Sequence, residues 1–129
     1  MSAAPTELRY RREERLLVVA WPDGARHELP AEYLRVESPS AEVQGHGPGQ
    51  KVILAGRRHV GVMRMEPVGH YAVRIVFDDM HDTGIYPWDY LRRLGDEHVA
   101  RWAEYEQALA ARGLSRDPVK RARSSPPAR

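Results

Sequence analysis

The chain has 129 residues, 42% hydrophobic and 29% charged, a balance that allows one core and argues for a single domain. It has no cysteine, which excludes disulfides, thiolate nucleophiles, Cys-ligated zinc and Cys-held iron–sulfur clusters, and no apolar run near the ~20 residues that span a bilayer. The net charge of +2 is uneven, because Ser115–Arg129 holds five basic residues and one acid while the other 114 residues hold 15 basic against 17 acidic, so overall basicity says little about the body.

Met1–Tyr10 is polar and lacks the apolar segment of a secretory signal, so a cytoplasmic, non-membrane protein is expected. Met1–Thr6 reads as a fraying end and charge-dense Glu7–Arg15 as a loop or poorly formed helical turn, which leaves residues 1–12 loose. Leu16–Trp21 is short, apolar and β-branched and predicts a buried strand. Pro22-Asp23-Gly24 supplies a turn, since Pro presets φ and Asp-Gly tolerates positive φ, and Ala25–Leu29 returns as the hairpin partner. Pro30 opens a short helix, Ala31–Arg35, where its missing N–H costs least. Ser38–Gln50 carries three Gly and two Pro in thirteen residues and predicts a long loop, of a kind that is usually functional or disordered.

Lys51–Leu54 predicts a short strand and Gly56–His59 a turn. Val60–Pro67 alternates apolar and polar residues, and Pro67-Val68-Gly69 breaks it. His70–Asp78 is the clearest strand, with Tyr71, Val73, Ile75 and Phe77 on one face and Ala72, Arg74 and Val76 on the other. Asp79–Asp82 forms a turn, and Thr83–Tyr86 a strand that Pro87 ends. Trp88–Leu94 predicts a helix ending near Gly95; Asp96 then caps a helix over Glu97–Arg112, closed by Gly113. The apolar members of its stripe Val99, Trp102, Glu106 and Leu109 would pack on the sheet. Residues 114–129 read as a disordered basic tail. Together these predict one α+β unit over residues 13–113, a small, mainly antiparallel β domain with a short helix and a C-terminal helix packed on it.

Several segments carry a resemblance: Trp21 with Asp23-Gly24, Tyr33-Leu34-Arg35, Ser38–Gly47, Glu66–Tyr71 and Asp78–Leu91. From about Leu16 to about Trp102 the chain resembles the gamma-butyrobetaine-hydroxylase-like N-terminal domain family, a small bacterial and organellar domain of unassigned activity. The resemblance implies a mostly β, α+β fold. In relatives the domain precedes an iron(II)/2-oxoglutarate oxygenase domain or is fused to iron–sulfur-assembly P-loop ATPases. Neither segment occurs in these 129 residues, and there is no Gly-x-x-x-x-Gly-Lys-Ser/Thr loop, so the resemblance brings no reaction with it. For the oxygenase relatives it implies a structural zinc on three cysteines and one histidine. Here Val36–Ala41, the segment after Tyr33-Leu34-Arg35, has no cysteine and only His81 matches, so that zinc site is expected to be lost. The family's Asp-Gly-His turn reads Asp79-Met80-His81; if the glycine needed positive φ, Met80 must adopt it at a cost or the turn must differ.

His81 lies among Asp78, Asp79 and Asp82. Carboxylates beside an imidazole either bind a divalent metal or orient a proton-transferring histidine, whereas turn-forming aspartates beside a backbone-bonded histidine are the structural alternative. A pocket joining His81, His46, Asp79 and Glu42 would suit iron, zinc or manganese. Ser38, Ser40, His46 and His81 invite a hydrolase reading, but no Gly-x-Ser-x-Gly elbow is present, and helix capping by Ser38 or Ser40 ahead of Glu42 explains the serines. Gly45–Gly49 does not fit a dinucleotide fingerprint. Tyr71, Tyr86, Trp88 and Tyr90 are accounted for by core packing, with one or two left over for an interaction surface. The basic tail has no interleaved aromatic residue for base stacking, which argues against nucleic acid.

The leading expectation is a non-catalytic binding or adaptor module. The resemblance places it near iron–sulfur or iron-dependent oxygenase proteins. It would meet a protein partner through Ser38, Glu42, His46, Tyr86 and Trp88, with homo-oligomerisation left open. The alternative is a divalent-metal protein holding iron or zinc on His81, His46, Asp79 and Glu42. A third reading is a small-molecule binder in a cleft under the long loop.

Overall fold

The structure is a computed structural model and describes residues 3–45 and 49–118. Strands β1 (Glu7–Arg11), β2 (Leu16–Ala20) and β3 (Arg26–Pro30) form one antiparallel sheet in that order. Two short helices follow, α1 (Ala31–Val36) and α2 (Ala41–Gln44). Strands β4 (Val62–Val68), β5 (Ala72–Phe77) and β6 (Gly84–Pro87) form a second antiparallel sheet, and α3 (Trp88–Asp96) and α4 (His98–Ala111) complete the α+β fold. No described helix is long and apolar enough to cross a membrane.

The central strand of each sheet is its most apolar one, as expected when a strand is covered on both sides. Leu17, Val18 and Val19 of β2 are fully buried, and β5 buries Ala72, Val73, Ile75, Val76 and Phe77. One core joins the two sheets to α1 and α3 through Leu17, Leu29, Tyr33, Leu34, Phe77, Tyr86 and Leu91. Its two buried phenols are not left unpaired. The Tyr33 hydroxyl donates to the Leu94 carbonyl at 2.6 Å, and the Tyr86 hydroxyl donates to the Leu34 carbonyl. All six residues of α1 are buried, two of them charged, and each charge meets a partner far along the chain: Glu32 meets Arg116 and Arg35 meets Asp79.

Several expectations are corrected. Residues 7–11 are not a loop or helical turn: β1 pairs with β2 from Glu7↔Ala20 to Arg11↔Leu16, so the segment expected to be loose supplies an edge strand. Its charges hid it, yet charged residues suit a solvated edge. Pro67 does not break β4, which continues to Val68; β4 is an edge strand, where a missing N–H is tolerated. Lys51–Leu54 is not a strand; Ile53, Leu54 and Ala55 instead pack on Val36, Tyr105 and Leu109. Ala41–Gln44 of the expected loop forms a helical turn.

The helices differ from expectation in their ends and faces. α3 ends at Asp96, next to Gly95 as expected, but Asp96 pairs with Arg92 and His27 instead of capping α4. On α4, Val99 is 86% exposed, and the inner face is Trp102, Tyr105 and Leu109. Tyr71 precedes β5 and is exposed rather than sharing the buried face of Val73. The segment expected to open a loose tail is docked, with Gly56 N–H and Arg58 N–H donating to the carbonyls of Ser115 and Arg116.

Met80 does take the strained option. Its φ is +76°, in the left-handed region, and its side chain is exposed with nothing to hold. A non-glycine residue gives up roughly 1–2 kcal/mol there, so the Asp79–His81 turn keeps the glycine geometry without the glycine.

Candidate functional site

The turn between β5 and β6 folds back on the segment between α1 and α2, and His81 is the point where they meet. Phe77 N–H donates to the His81 carbonyl at 2.9 Å, and His81 N–H donates to Asp79 Oδ1 at 3.3 Å, which fixes the backbone of the turn. The His81 ring is buried beside Phe77. Its Nε2 lies 2.9 Å from Ser38 Oγ and 3.5 Å from Ser40 Oγ, and its Nδ1 lies 3.2 Å from Glu42 Oε1. A carboxylate only accepts, so a proton on Nδ1 suits the Glu42 side and leaves Nε2 free to accept from the Ser38 hydroxyl. The Thr83 hydroxyl also donates to Glu42, and Gln44 Nε2 donates to the Ser38 carbonyl at 2.8 Å.

The order hydroxyl, imidazole, carboxylate is that of a hydrolase triad, but the surroundings are not. Ser38 is fully buried, and its Oγ sits so close to β6 that a Cβ on Gly84 would stand 2.9 Å away. A nucleophile needs a path to substrate, and Ser38 has no exposed surface from which to attack. The three side chains clamp the α1–α2 segment onto the second sheet. The capping role expected for Ser38 or Ser40 is also not used. Ser40 occupies the N-cap of α2 without a side-chain cap bond, because both hydroxyls turn to His81.

Three of the four expected metal ligands lie among the described residues, and these three do not converge on one point. His81 and Glu42 meet, but His46 lies outside the described residues. The Asp79 carboxylate turns away to Arg35 and Arg57, 2.8 and 2.9 Å from its Oδ2. Among the described residues, no three His, Cys, Asp or Glu side chains form a ligand group. In the segment where the resemblance implies clustered cysteines, Ser38 and Ser40 hold the His81 ring with hydroxyls.

The expected interaction surface also divides. Ser38 and Tyr86 are fully buried and belong to the interior. Glu42 is exposed at the Asp78–Thr83 end of β6, while Trp88 lies at the other end, five residues on, or about 15 Å along an extended strand. There its indole N–H donates to the His70 carbonyl. Arg35 and Arg57 did not come forward from the sequence. The signal for Arg35 was a second charge, after Glu32, inside a short and mostly apolar helix; Arg57 gave none.

Burial pushes the His81 pKa below its ordinary value and Arg35 pushes it further, against a partial pull from Glu42, Asp79 and Asp82. His98, stacked near Tyr33, is lowered by burial and by His27. In the unfolded chain both take protons near pH 6.5, before the folded protein does. Their contribution to stability is therefore complete above about pH 6.5 and is lost progressively as pH falls toward the depressed folded values. Urea unfolding between pH 7.5 and 5.5 is expected to show a falling midpoint, and a His81→Gln/His98→Gln double variant a flatter profile.

The comparisons with known proteins agree with this architecture. A family model described as gamma-butyrobetaine hydroxylase-like, N-terminal, matches residues 8–92. Two proteins solved in solution by NMR are 39% and 40% identical to the chain, with TM-scores of 0.81 and 0.78. The matches cover 97% and 92% of this chain and 98% and 89% of theirs. A crystal structure of a protein of unknown function from Acidithiobacillus ferrooxidans, described as a member of the DUF971 family, is 44% identical with a TM-score of 0.60, covering 70% of this chain and 91% of that one. No curated protein matches significantly.

Proposed function

This chain belongs to the gamma-butyrobetaine hydroxylase-like N-terminal family, and from that premise we propose that it is a non-catalytic module that binds a protein partner. The observation that carries the reading is where apolar surface is left uncovered. Among the described residues seven large apolar side chains are exposed, and four of them, Met63, Tyr71, Met80 and Ile85, come from the second sheet and its turns. Uncovered apolar side chains on one sheet and its turns are surface that a partner can cover. The resemblance suggests the partner class, an iron–sulfur or iron-dependent oxygenase protein. The divalent-metal alternative has less support, since Asp79 is held by two guanidiniums and His81 Nε2 by a hydroxyl.

The test is quantitative capture by the wild-type chain and by a Tyr71→Ala/Ile85→Asp variant, both checked for fold by circular dichroism. A partner of the iron–sulfur or oxygenase class, recovered at least tenfold less by the variant, is expected. Equal recovery by both proteins would remove the second sheet from the interface.

A further inference from the structure

Between α4 and the segment that leaves the long loop lies a cavity of about 220 Å³, a size for a small metabolite. One wall is apolar and is made by Ile53, Tyr105 and Ala108. It is held in shape from two sides: Val52 N–H donates to the Val43 carbonyl at 2.7 Å, and the Tyr105 hydroxyl donates to the Leu54 carbonyl. The rest of the lining carries both signs of charge, Lys51 and Arg101 with Glu37 and Glu104. Glu37 is buried, and its Oε1 accepts from Lys51 Nζ at 2.8 Å and from Arg101 Nη1 at 3.0 Å. These bonds leave capacity unused. Among the described residues Glu37 Oε2 and Arg101 Nη2 have no hydrogen-bond partner, and neither is one of the unpartnered atoms closed to solvent. Lys51, whose side chain is 36% exposed, keeps two further N–H groups. Arg101 pairs with Glu37 and Glu97, so exposed Glu104 has no cation among the described residues. Accessible donors and accessible acceptors thus share one cavity with an apolar wall.

We propose that this cavity binds a small zwitterion with an apolar side chain, an α-amino acid of the leucine type. The ligand carboxylate accepts from Lys51 Nζ and Arg101 Nη2 in charge-assisted bonds. The ligand ammonium donates to Glu104 and to Glu37 Oε2, and the side chain lies on Ile53, Tyr105 and Ala108. A lone anion or a lone cation of the same shape meets a like-charged pair as well as a complementary one, and only a ligand with both charges has a partner for each. Buried Glu37 positions the two cations, because both are fixed on its Oε1. Met63, Tyr71, Met80 and Ile85 take no part in this lining, so the site does not depend on the module reading above.

The full chain, labelled with nitrogen-15, would be titrated at constant ionic strength with L-leucine, with isocaproate, which lacks the ammonium, and with isoamylamine, which lacks the carboxylate. Saturable shifts at the Ile53, Arg101 and Tyr105 amides are expected with leucine, and at least tenfold weaker binding of either fragment. Lys51→Gln should weaken leucine several-fold and narrow its advantage over isoamylamine, leaving its advantage over isocaproate in place. Glu104→Gln should do the reverse, weakening leucine and narrowing its advantage over isocaproate. If Lys51→Gln fails to fold, Glu104→Gln decides alone, since Glu104 is exposed. Absence of saturable shifts with leucine, a fragment that binds as tightly as leucine, or an unchanged leucine affinity in Glu104→Gln would overturn the proposal.

Discussion

Replacing Gly95 with Ala is expected to lower stability by about 2–3 kcal/mol, although alanine is the better helix former. Gly95 lies within α3, where a glycine ordinarily costs about 1 kcal/mol relative to alanine. It is kept by a neighbour: a Cβ at this position would stand 2.3 Å from Nδ1 of His27, far inside contact distance. The far end of a side chain can often swing aside, but this ring is held at both nitrogens. Trp21 Nε1 donates to His27 Nδ1 at 3.1 Å, and His27 Nε2 faces Asp96 Oδ1 at 3.2 Å. Moving the ring therefore breaks the link between the first sheet and α3 and leaves the buried Trp21 indole without its acceptor. A double-mutant cycle separates the clash from other effects. In a His27→Ala background the sign should reverse, with Gly95→Ala stabilising by up to about 1 kcal/mol as helix propensity is recovered. Urea unfolding of the four proteins checks this, and a neutral Gly95→Ala in the His27 background of the natural chain would show that the ring yields.

The same glycine marks how far the sequence could be read. A glycine followed by Asp and a new amphipathic run is a reasonable end of a helix, and nothing local reveals that a histidine 68 positions earlier needs the space. The strands β2 and β5 were legible because their signal is local, a run or alternation of β-branched residues. β1 was not, because an edge strand can be written in charged residues and takes its order from the partner it pairs with. At the candidate site, His81 and Glu42 were grouped from their chemistry as metal ligands, and they meet as a direct contact. The reversal of Asp79 toward Arg35 and Arg57 was not, since it depends on a helix and a loop that the chain brings together over more than twenty residues. Ser38 and Tyr86 looked like surface candidates because they flank motif segments; burial is a property of the assembled layers and carries no mark on a serine or a tyrosine.

Arg116→Ala is expected to cost about 2–3 kcal/mol, a large effect for a residue beyond the 8–92 span of the family match and in a segment that composition marks as a solvated tail. Glu32 on α1 is buried, and Arg116 closes on both its oxygens, with Nε at 2.8 Å and Nη2 at 2.7 Å. The guanidinium also lies over the Trp102 ring, 5.1 Å from its centre, so it joins α1 to α4. Removing one partner of a buried pair strands the other charge, which costs about 3–5 kcal/mol when water cannot reach it. Arg116 is 29% exposed at its side chain, so the hole it leaves admits some water and the expected loss is smaller. Two comparisons fix the cause. Arg112→Ala, an exposed arginine four residues earlier, should change stability by less than about 0.5 kcal/mol. Glu32→Gln combined with Arg116→Ala should be more stable than Arg116→Ala alone, because no charge is then left buried. If Arg116→Ala behaves like Arg112→Ala in urea unfolding, the folded unit ends with α4; the expected loss places its end at the docked segment, where Ser115 and Arg116 bond to Gly56 and Arg58.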